Sequence, residues 1–330
     1  MDAGHAYQNL TPDDILNAIE AAGFRCDGRI FALNSYENRV YEIGIEDGKP
    51  VIAKFYRPAR WSNDAILEEH KFTLLLAEYE IPVIAPLTCE QDVTLFQAGS
   101  HRFALYPRVG GRPPEPDDPE QLLQLGRCIA RIHNVGAIEP FQHRPVIDVE
   151  SFAMGPREFL LDNDFIPADL LEAYTSVTEA VIARLTGVFE QTGGLRYIRL
   201  HGDCHIGNIL LNENTPFLVD FDDARMGPAI QDLWMLLSGD RAYMTARLHD
   251  LLEGYCEFRE FDPRELHLIE PLRTLRMMHY AGWLAQRWHD PAFPMAFPWF
   301  NTQHYWQDHI LSLREQAAML DEPPLEWHGA

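Results

Sequence analysis

The sequence predicts an α+β protein of two lobes, a small antiparallel β lobe with one main helix followed by a larger helical lobe. Three observations predict it. β-rich stretches dominate the first third of the chain, a proline-rich acidic stretch interrupts it at 112–119, and beyond that the apolar residues recur at helical spacing. One β-like interruption, 200–220, breaks the helical part. Such a design leaves a cleft between its lobes. The boundary falls after Pro107, giving lobes 1–107 and 108–330.

Each element has a local reason. Thr11 can cap a first helix, with Pro12 at its first position, Asp13 and Asp14 at the positive end of its dipole, and Gly23 to end it. Strands follow at 30–36, 39–45 and 50–56, and Asp47 with Gly48 supplies the tight turn between the last two. Ser62 or Asn63 starts a helix to about position 80 with Ile66, Leu67, His70, Leu74 and Ala77 along one face; Pro82 and Pro86 bar its continuation. Strands at 93–96 and 101–106 close the first lobe. The second lobe is expected to hold helices at 120–134, 170–191, 230–237, 242–258 and 264–287.

Composition narrows the classes. With 330 residues, 46% of them hydrophobic, the chain can bury a sizeable core, yet its apolar runs fall far short of the roughly 20 residues a membrane helix needs. Residues 1–5 lack the basic and apolar regions of a secretory signal. Five widely spaced cysteines without a CxxC pair fit a reducing compartment, so a cytoplasmic location is expected. A formal charge of −23 repels a nucleic-acid backbone; it suits a cationic substrate or simply solubility. No nucleic-acid or membrane partner is expected, and a monomer suffices.

The chemistry concentrates in 198–223. His201, Asp203 and Asn208 stand in the spacing H-x-D-x4-N, and an apolar run, Phe217 to Val219, ends in Asp220. Phosphoryl transfer needs an aligned hydroxyl and cations fixed against phosphate oxygens, and little covalent chemistry from the protein. Asp203 would orient the acceptor hydroxyl and take its proton. Asn208 and Asp220 would offer hard oxygen ligands to Mg²⁺. His201 would hold the loop backbone, and His201 with His205 makes a poor zinc pair because Gly202 and Gly207 disfavour the helix it needs. The nucleotide is expected to be ATP.

On the other side of the cleft, Lys54 stands on the third strand as the lysine of V-A-I-K does and would meet the α- and β-phosphates. Its carboxylate partner is expected at Glu69, with Glu68 as the alternative. Ser35 and Asn38 lie in the turn that would cover the phosphates, a turn without glycine. Pro107 can offer a carbonyl and Val109 an N–H to the adenine edge.

These motifs resemble the aminoglycoside phosphotransferase and choline kinase group, which has a protein-kinase-like fold. The segments 33–41, 54–58, 200–205, 227–237 and 290–294 are more closely similar to the bacterial stress response kinase A family, almost end to end. That resemblance implies a cytoplasmic Ser/Thr protein kinase, able to phosphorylate itself and linked to envelope stress and cell survival. Asp232 resembles the buried aspartate that braces the catalytic loop of this fold. Departures from ordinary protein kinases also stand out. Gly202 replaces the arginine of H-R-D, Asp222 stands where D-F-G has glycine, and the twelve positions from Asp220 to Asp232 leave no room for a long activation segment. A peptide platform must then come from elsewhere, near the aromatic residues between Trp283 and Trp306, which serve core and lid packing or recognition. A kinase for a small alcohol or aminoglycoside is the alternative.

Overall fold

The computed structural model describes residues 7, 10–89, 92–327 and 329; the N-terminal stretch 1–5 lies outside the described residues. Helix α1 (Pro12–Ala21) starts on a capping box in which the Thr11 hydroxyl accepts from Asp14 N–H and the Asp14 carboxylate accepts from Thr11 N–H. Strands β1 (Cys26–Leu33), β2 (Arg39–Ile45), β3 (Val51–Phe55), β4 (Phe96–Ala98) and β5 (His101–Pro107) form one antiparallel sheet in the order β1-β2-β3-β5-β4. Helix α2 (Asn63–Glu78) lies between β3 and β4 in the chain, capped by the Ser62 hydroxyl.

Period-two alternation gives this sheet two covered faces. Phe103 and Leu105 of β5 join Val51, Phe55, Ile15 and Ile19 in one apolar cluster under α1, while Ala104 joins Tyr56 and Ile66 of α2 in another. Lys54, between Ala53 and Phe55, is therefore held on the α2 side, opposite the α1 core.

The helical lobe contains α3 (Pro119–Gly136), α4 (Gly155–Asp162), α5 (Leu171–Gln191), α6 (Gln231–Trp234), α7 (Arg241–Cys256), α8 (Ile269–Gln286), α9 (Ala292–Ala296) and α10 (Gln303–Met319). Its short strands are β6 (Ile198–Leu200), β7 (Ile209–Asn212), β8 (Thr215–Leu218) and β9 (Arg225–Gly227), paired antiparallel as β6-β9 and β7-β8. Helices α3 and α7 approach closely because each has a glycine at the crossing: a Cβ on Gly126 would meet Leu251 O at 2.0 Å, and one on Gly254 would meet Leu123 O at 2.0 Å. Of the aromatic residues near the C-terminus, Phe293, Phe300 and Trp306 are buried in the main core, and Trp299 is exposed.

Two differences from the sequence expectation concern helices. The segment 264–287 divides into a 3-10 stretch at Pro263–Leu268 and α8. Helices α4, α9 and α10 were not expected; α4 continues a π-helical turn at Glu150–Met154, and α10 carries the helical spacing Trp306, Ile310, Leu313 and Ala317.

Backbone bonds join the lobes. Ile84 N–H donates to Leu218 O at 3.1 Å and Leu218 N–H to Pro82 O at 3.1 Å, so the segment after α2 runs beside β8. Arg112 and Leu211 exchange both backbone bonds, which draws the chain after β5 onto β7.

Candidate active site

The loop after β6 is built on Asp232. This fully buried carboxylate accepts from His201 N–H and Gly202 N–H, both at 2.8 Å, and lies 3.1 Å from His133 Nε2. Two backbone donors that would otherwise be orphaned in the core are thus satisfied. The His201 ring is also buried; its Nε2 donates to Val219 O at 2.9 Å, which leaves Nδ1 to accept from Asp203 N–H at 3.3 Å. His201 therefore bonds both to the start of its own loop and to the strand end before Asp220.

Gly202 has φ +85°, and a Cβ there would lie 2.2 Å from Asp223 O. No side chain fits, which is the physical reason that glycine stands where protein kinases carry arginine. Asn208 Nδ2 donates to Asp203 O at 3.0 Å, so the amide is oriented with its Oδ1 as the remaining acceptor. Asp220, two residues past β8, caps the 3-10 turn Phe221–Asp223 in the left-handed region (φ +61°, ψ +65°), a conformation Asp tolerates better than most residues and one that turns the chain away from the strand direction.

A cavity of about 450 Å³ lies between the lobes, and Ser35, Lys54, Glu69, Asn208 and Asp220 line it. Pro107 and Val109 line it too, at the end of β5 and just beyond. Lys54 Nζ is buried and pairs with Asp220 Oδ1 at 2.7 Å and Asp222 Oδ1 at 3.4 Å. Burial pulls the ammonium pKa down, but these two carboxylates outweigh it and the net shift is upward.

Two sequence expectations need correction. Glu69, on α2, is not within ion-pair reach of Lys54, whose partners are the closer pair Asp220 and Asp222; the cation beside Glu69 is Arg144, with Nη2 at 3.9 Å, because burial holds the adjacent His70 ring neutral. Burial raises the Glu69 carboxyl to about 7 despite Arg144 and Lys54. Glu68 faces another way, accepting from the backbone N–H groups of Gln142, His143 and Arg144. Asn38 is the second correction. It does not line the cavity: its amide is buried, donating to Asp222 Oδ2 at 3.1 Å and accepting from Arg57 N–H at 3.1 Å, and these two bonds hold it away from the cavity.

Asp222 belongs to a buried cluster with Arg60, Lys54 and Asn38, and Arg60 also reaches Asp223 at 2.8 Å. Burial would raise Asp222, but Arg60 and Lys54 override it and hold the carboxyl at about 2. Asp203 sits across the loop from Asn208, with Oδ1 2.5 Å from Arg276 and Oδ2 3.4 Å from His205; burial is again outweighed, here by His205 and Arg276, and the carboxyl stays at about 2. His205 Nδ1 accepts from Gly207 N–H at 3.0 Å.

Several residues escaped sequence reasoning. Glu37, in the turn after β1, accepts from Trp283 Nε1 of α8 and from Nε of Arg287 just past its end, both at 2.6 Å, and Arg57 pairs with Asp290 at 2.7 Å. These contacts tie the turn to the helical lobe. The only sequence signal was that Glu37, Arg57 and Asp290 all fall in segments that carry the family resemblance. Arg276 and Arg60 had no local signal.

The sequence profile of the phosphotransferase enzyme family matches residues 30–269. The chain belongs to that family. It is 45% identical over 325 residues, 98% of each chain, to "Stress response kinase A" of Escherichia coli O157:H7, and 43% identical over the same length and shares to "Serine/threonine protein kinase RdoA" of Salmonella typhimurium strain LT2. Among solved structures, an amicoumacin kinase in complex with AMP-PNP, Ca²⁺ and Ami superposes with TM-score 0.71 at 22% identity, covering 95% of both chains. The structure of a microcompartment-associated aminopropanol kinase gives 0.67 at 17% identity, covering 93% of this chain and 96% of that one. The fold is that of the kinase-like phosphotransferases, with a small antiparallel sheet lobe and a larger helical lobe. Among the described residues no helix is long and apolar enough to cross a membrane.

Proposed function

We propose that the protein is an ATP- and Mg²⁺-dependent kinase of the cytoplasm that transfers a phosphoryl group to a Ser or Thr hydroxyl of a protein, itself included. The observation that carries this reading is the joining of two walls at one cavity: Lys54 from the sheet, Asn208 and Asp220 from the β7-β8 hairpin, with the Asn208 amide bonded to the backbone of Asp203.

In this reading Lys54 binds the α- and β-phosphates, the Ser35 hydroxyl meets the phosphates at the turn, and the Pro107 carbonyl and Val109 N–H hold the adenine edge. Glu69 faces the same cavity and sets the charge around Lys54. Asn208 Oδ1 and the Asp220 carboxylate form an all-oxygen pair that suits Mg²⁺, which takes its remaining ligands from phosphates and water. When bound, the ion supplies neutralisation of charge on the phosphate oxygens. Asp203 orients the acceptor hydroxyl and accepts its proton. His201 and Asp232 position Asp203 through the loop backbone, and Asp222 holds Lys54 and Asn38 in place.

A protein acceptor is favoured by the 43% identical relative named as a serine/threonine protein kinase. One observation favours a small alcohol instead: the twelve positions from Asp220 to Asp232 are taken up by a 3-10 turn, β9 and the start of α6, which leaves no peptide platform there. Incubation with γ-labelled ATP and Mg²⁺ separates the readings. Label on the protein itself and on added polypeptides is expected; label confined to small alcohols would overturn the protein-acceptor reading.

A further inference from the structure

Both carboxylate oxygens of Asp203 are engaged, Oδ2 beside His205 and Oδ1 by the Arg276 guanidinium. Under the proposed function, on which this inference rests, one of them must receive the acceptor proton. The two partners are about equally exposed, His205 at 40% and Arg276 at 43%, but they are tethered differently. His205 is part of the same loop, with its ring anchored by Gly207 N–H. Arg276 comes from α8, its side chain is 43% exposed, and its other hydrogen-bond contact among the described residues is a weak one, 3.9 Å to Met235 Sδ. Arg276 is therefore the partner that can leave. A guanidinium that abandons a carboxylate at 2.5 Å needs another anion in compensation, since the lost bond is charge-assisted.

The surroundings say where that anion arrives. Arg276, Tyr280 and Trp283 recur at helical spacing on α8, and the Tyr280 and Trp283 rings stack at 5.7 Å with planes 14° apart. Tyr280 is 40% exposed, and Trp283 Nε1 reaches Glu37 in the turn at the cavity. A ridge with one cationic head and a flat aromatic continuation thus runs from Asp203 to the phosphate side of the cleft, and it offers an extended chain both a charge and a stacking surface.

We propose that Arg276 is a specificity-determining residue that selects acceptor segments bearing a carboxylate beside the phosphorylated hydroxyl. In the free protein its guanidinium covers Asp203 Oδ1; the acceptor's carboxylate draws it away and uncovers the base. The acceptor O–H bond then breaks with its proton passing to Oδ1, the acceptor oxygen bonds to the γ-phosphorus, and the bond from that phosphorus to the bridging oxygen breaks, leaving ADP with the electron pair. The base lies about 3 Å from the hydroxyl, the guanidinium about 3 Å from the base and its new carboxylate about 3 Å beyond the guanidinium, so the carboxylate belongs up to roughly 9 Å from the acceptor oxygen, about two to three residues along an extended chain.

The test uses the full-length protein, labelled ATP and peptides identical except at the second residue on either side of one serine, carrying Asp, Asn or Lys. Wild type is expected to favour the Asp peptides over Asn by about tenfold in kcat/KM, and Arg276→Gln to lose that preference while turning over the Asn peptides faster than wild type does. Arg276→Lys should restore part of the preference. An equal Asp-to-Asn ratio in wild type and Arg276→Gln overturns the proposal, as does a wild-type preference for Lys. Binding of a fluorescent ATP analogue confirms that each variant is folded. Asp203→Asn is measured beside them: if it keeps wild-type transfer, the assignment of Asp203 itself fails, whereas an inactive Asp203→Asn with no Arg276 effect overturns the Arg276 inference alone. Label on none of the peptides overturns this inference and the protein-acceptor reading together.

Discussion

The two walls of the cleft are stabilised by different physics. The sheet wall gathers buried charge: Lys54, Arg60 and Glu69 lie together with Asp222, which reaches over from the helical lobe, with Lys54 and Glu69 shifted upward and Asp222 held at about 2. The loop wall is shaped by backbone hydrogen bonds, with Asp232 accepting from His201 and Gly202 and the His201 ring bonded to Val219 O. A network of buried charges responds to anything that changes charge; a loop fixed by directed hydrogen bonds holds one geometry. The sheet wall is suited to meeting a polyanion, and the loop wall to aligning a hydroxyl.

The largest expected effect lies on the loop wall. Asp203→Ala should lower the transfer rate by about 10² to 10⁴, as loss of a positioned general base does, with ATP affinity and melting temperature little changed. A large fall in stability instead would mean that Asp203 is part of the frame. Asp232→Ala should separate frame from chemistry: removing the acceptor of two buried N–H groups is expected to cost about 3–5 kcal/mol in urea unfolding. Stability within 1 kcal/mol of wild type, by the same measure, would break the contrast between the walls.

The sheet wall should reveal itself through pH. The Glu69 carboxyl is raised from 4.5 to about 7, so its contribution to stability is complete below pH 4.5 and is lost as pH rises through 7. Glu69→Gln should flatten that part of the stability profile by an amount of order 2–3 kcal/mol between pH 4.5 and 7.5. An unchanged slope would show that Glu69 stays ionised at its buried site. The smallest effect is expected where the walls meet. Glu37→Gln weakens the charged acceptor shared by Trp283 and Arg287 and should cost about 1–2 kcal/mol, with faster amide hydrogen exchange in the turn at 34–38. Unchanged exchange there would mean that the turn is held by the sheet alone.

Much of this was legible along the chain. Strand β2 begins and ends at the expected positions 39 and 45, because its alternation is bounded by the turn at 34–38 and by Asp47 with Gly48. The spacing of His201, Asp203, Asn208 and Asp220 was legible because all four fall within twenty positions, in the loop after β6 and at the two ends of the β7-β8 hairpin. The place of Asn38 and the partner of Lys54 were not legible for a shared reason: a residue type and an offset along the chain do not tell that a distant carboxylate, Asp222, takes both the Asn38 amide, 184 positions away, and the Lys54 ammonium. Arg276, 73 positions from Asp203, was invisible for the same reason.

The sequence by itself determined the α+β order of elements, the catalytic-type spacing and the glycine at 202, because each follows from local sterics, periodicity or a fixed number of residues along one short segment. Only the tertiary structure decided which charges meet: Lys54 with Asp220 and Asp222, Glu37 with α8, Arg276 with Asp203. Coulomb attraction and burial act through space, and the chain does not record in its order which distant side chains folding will desolvate together.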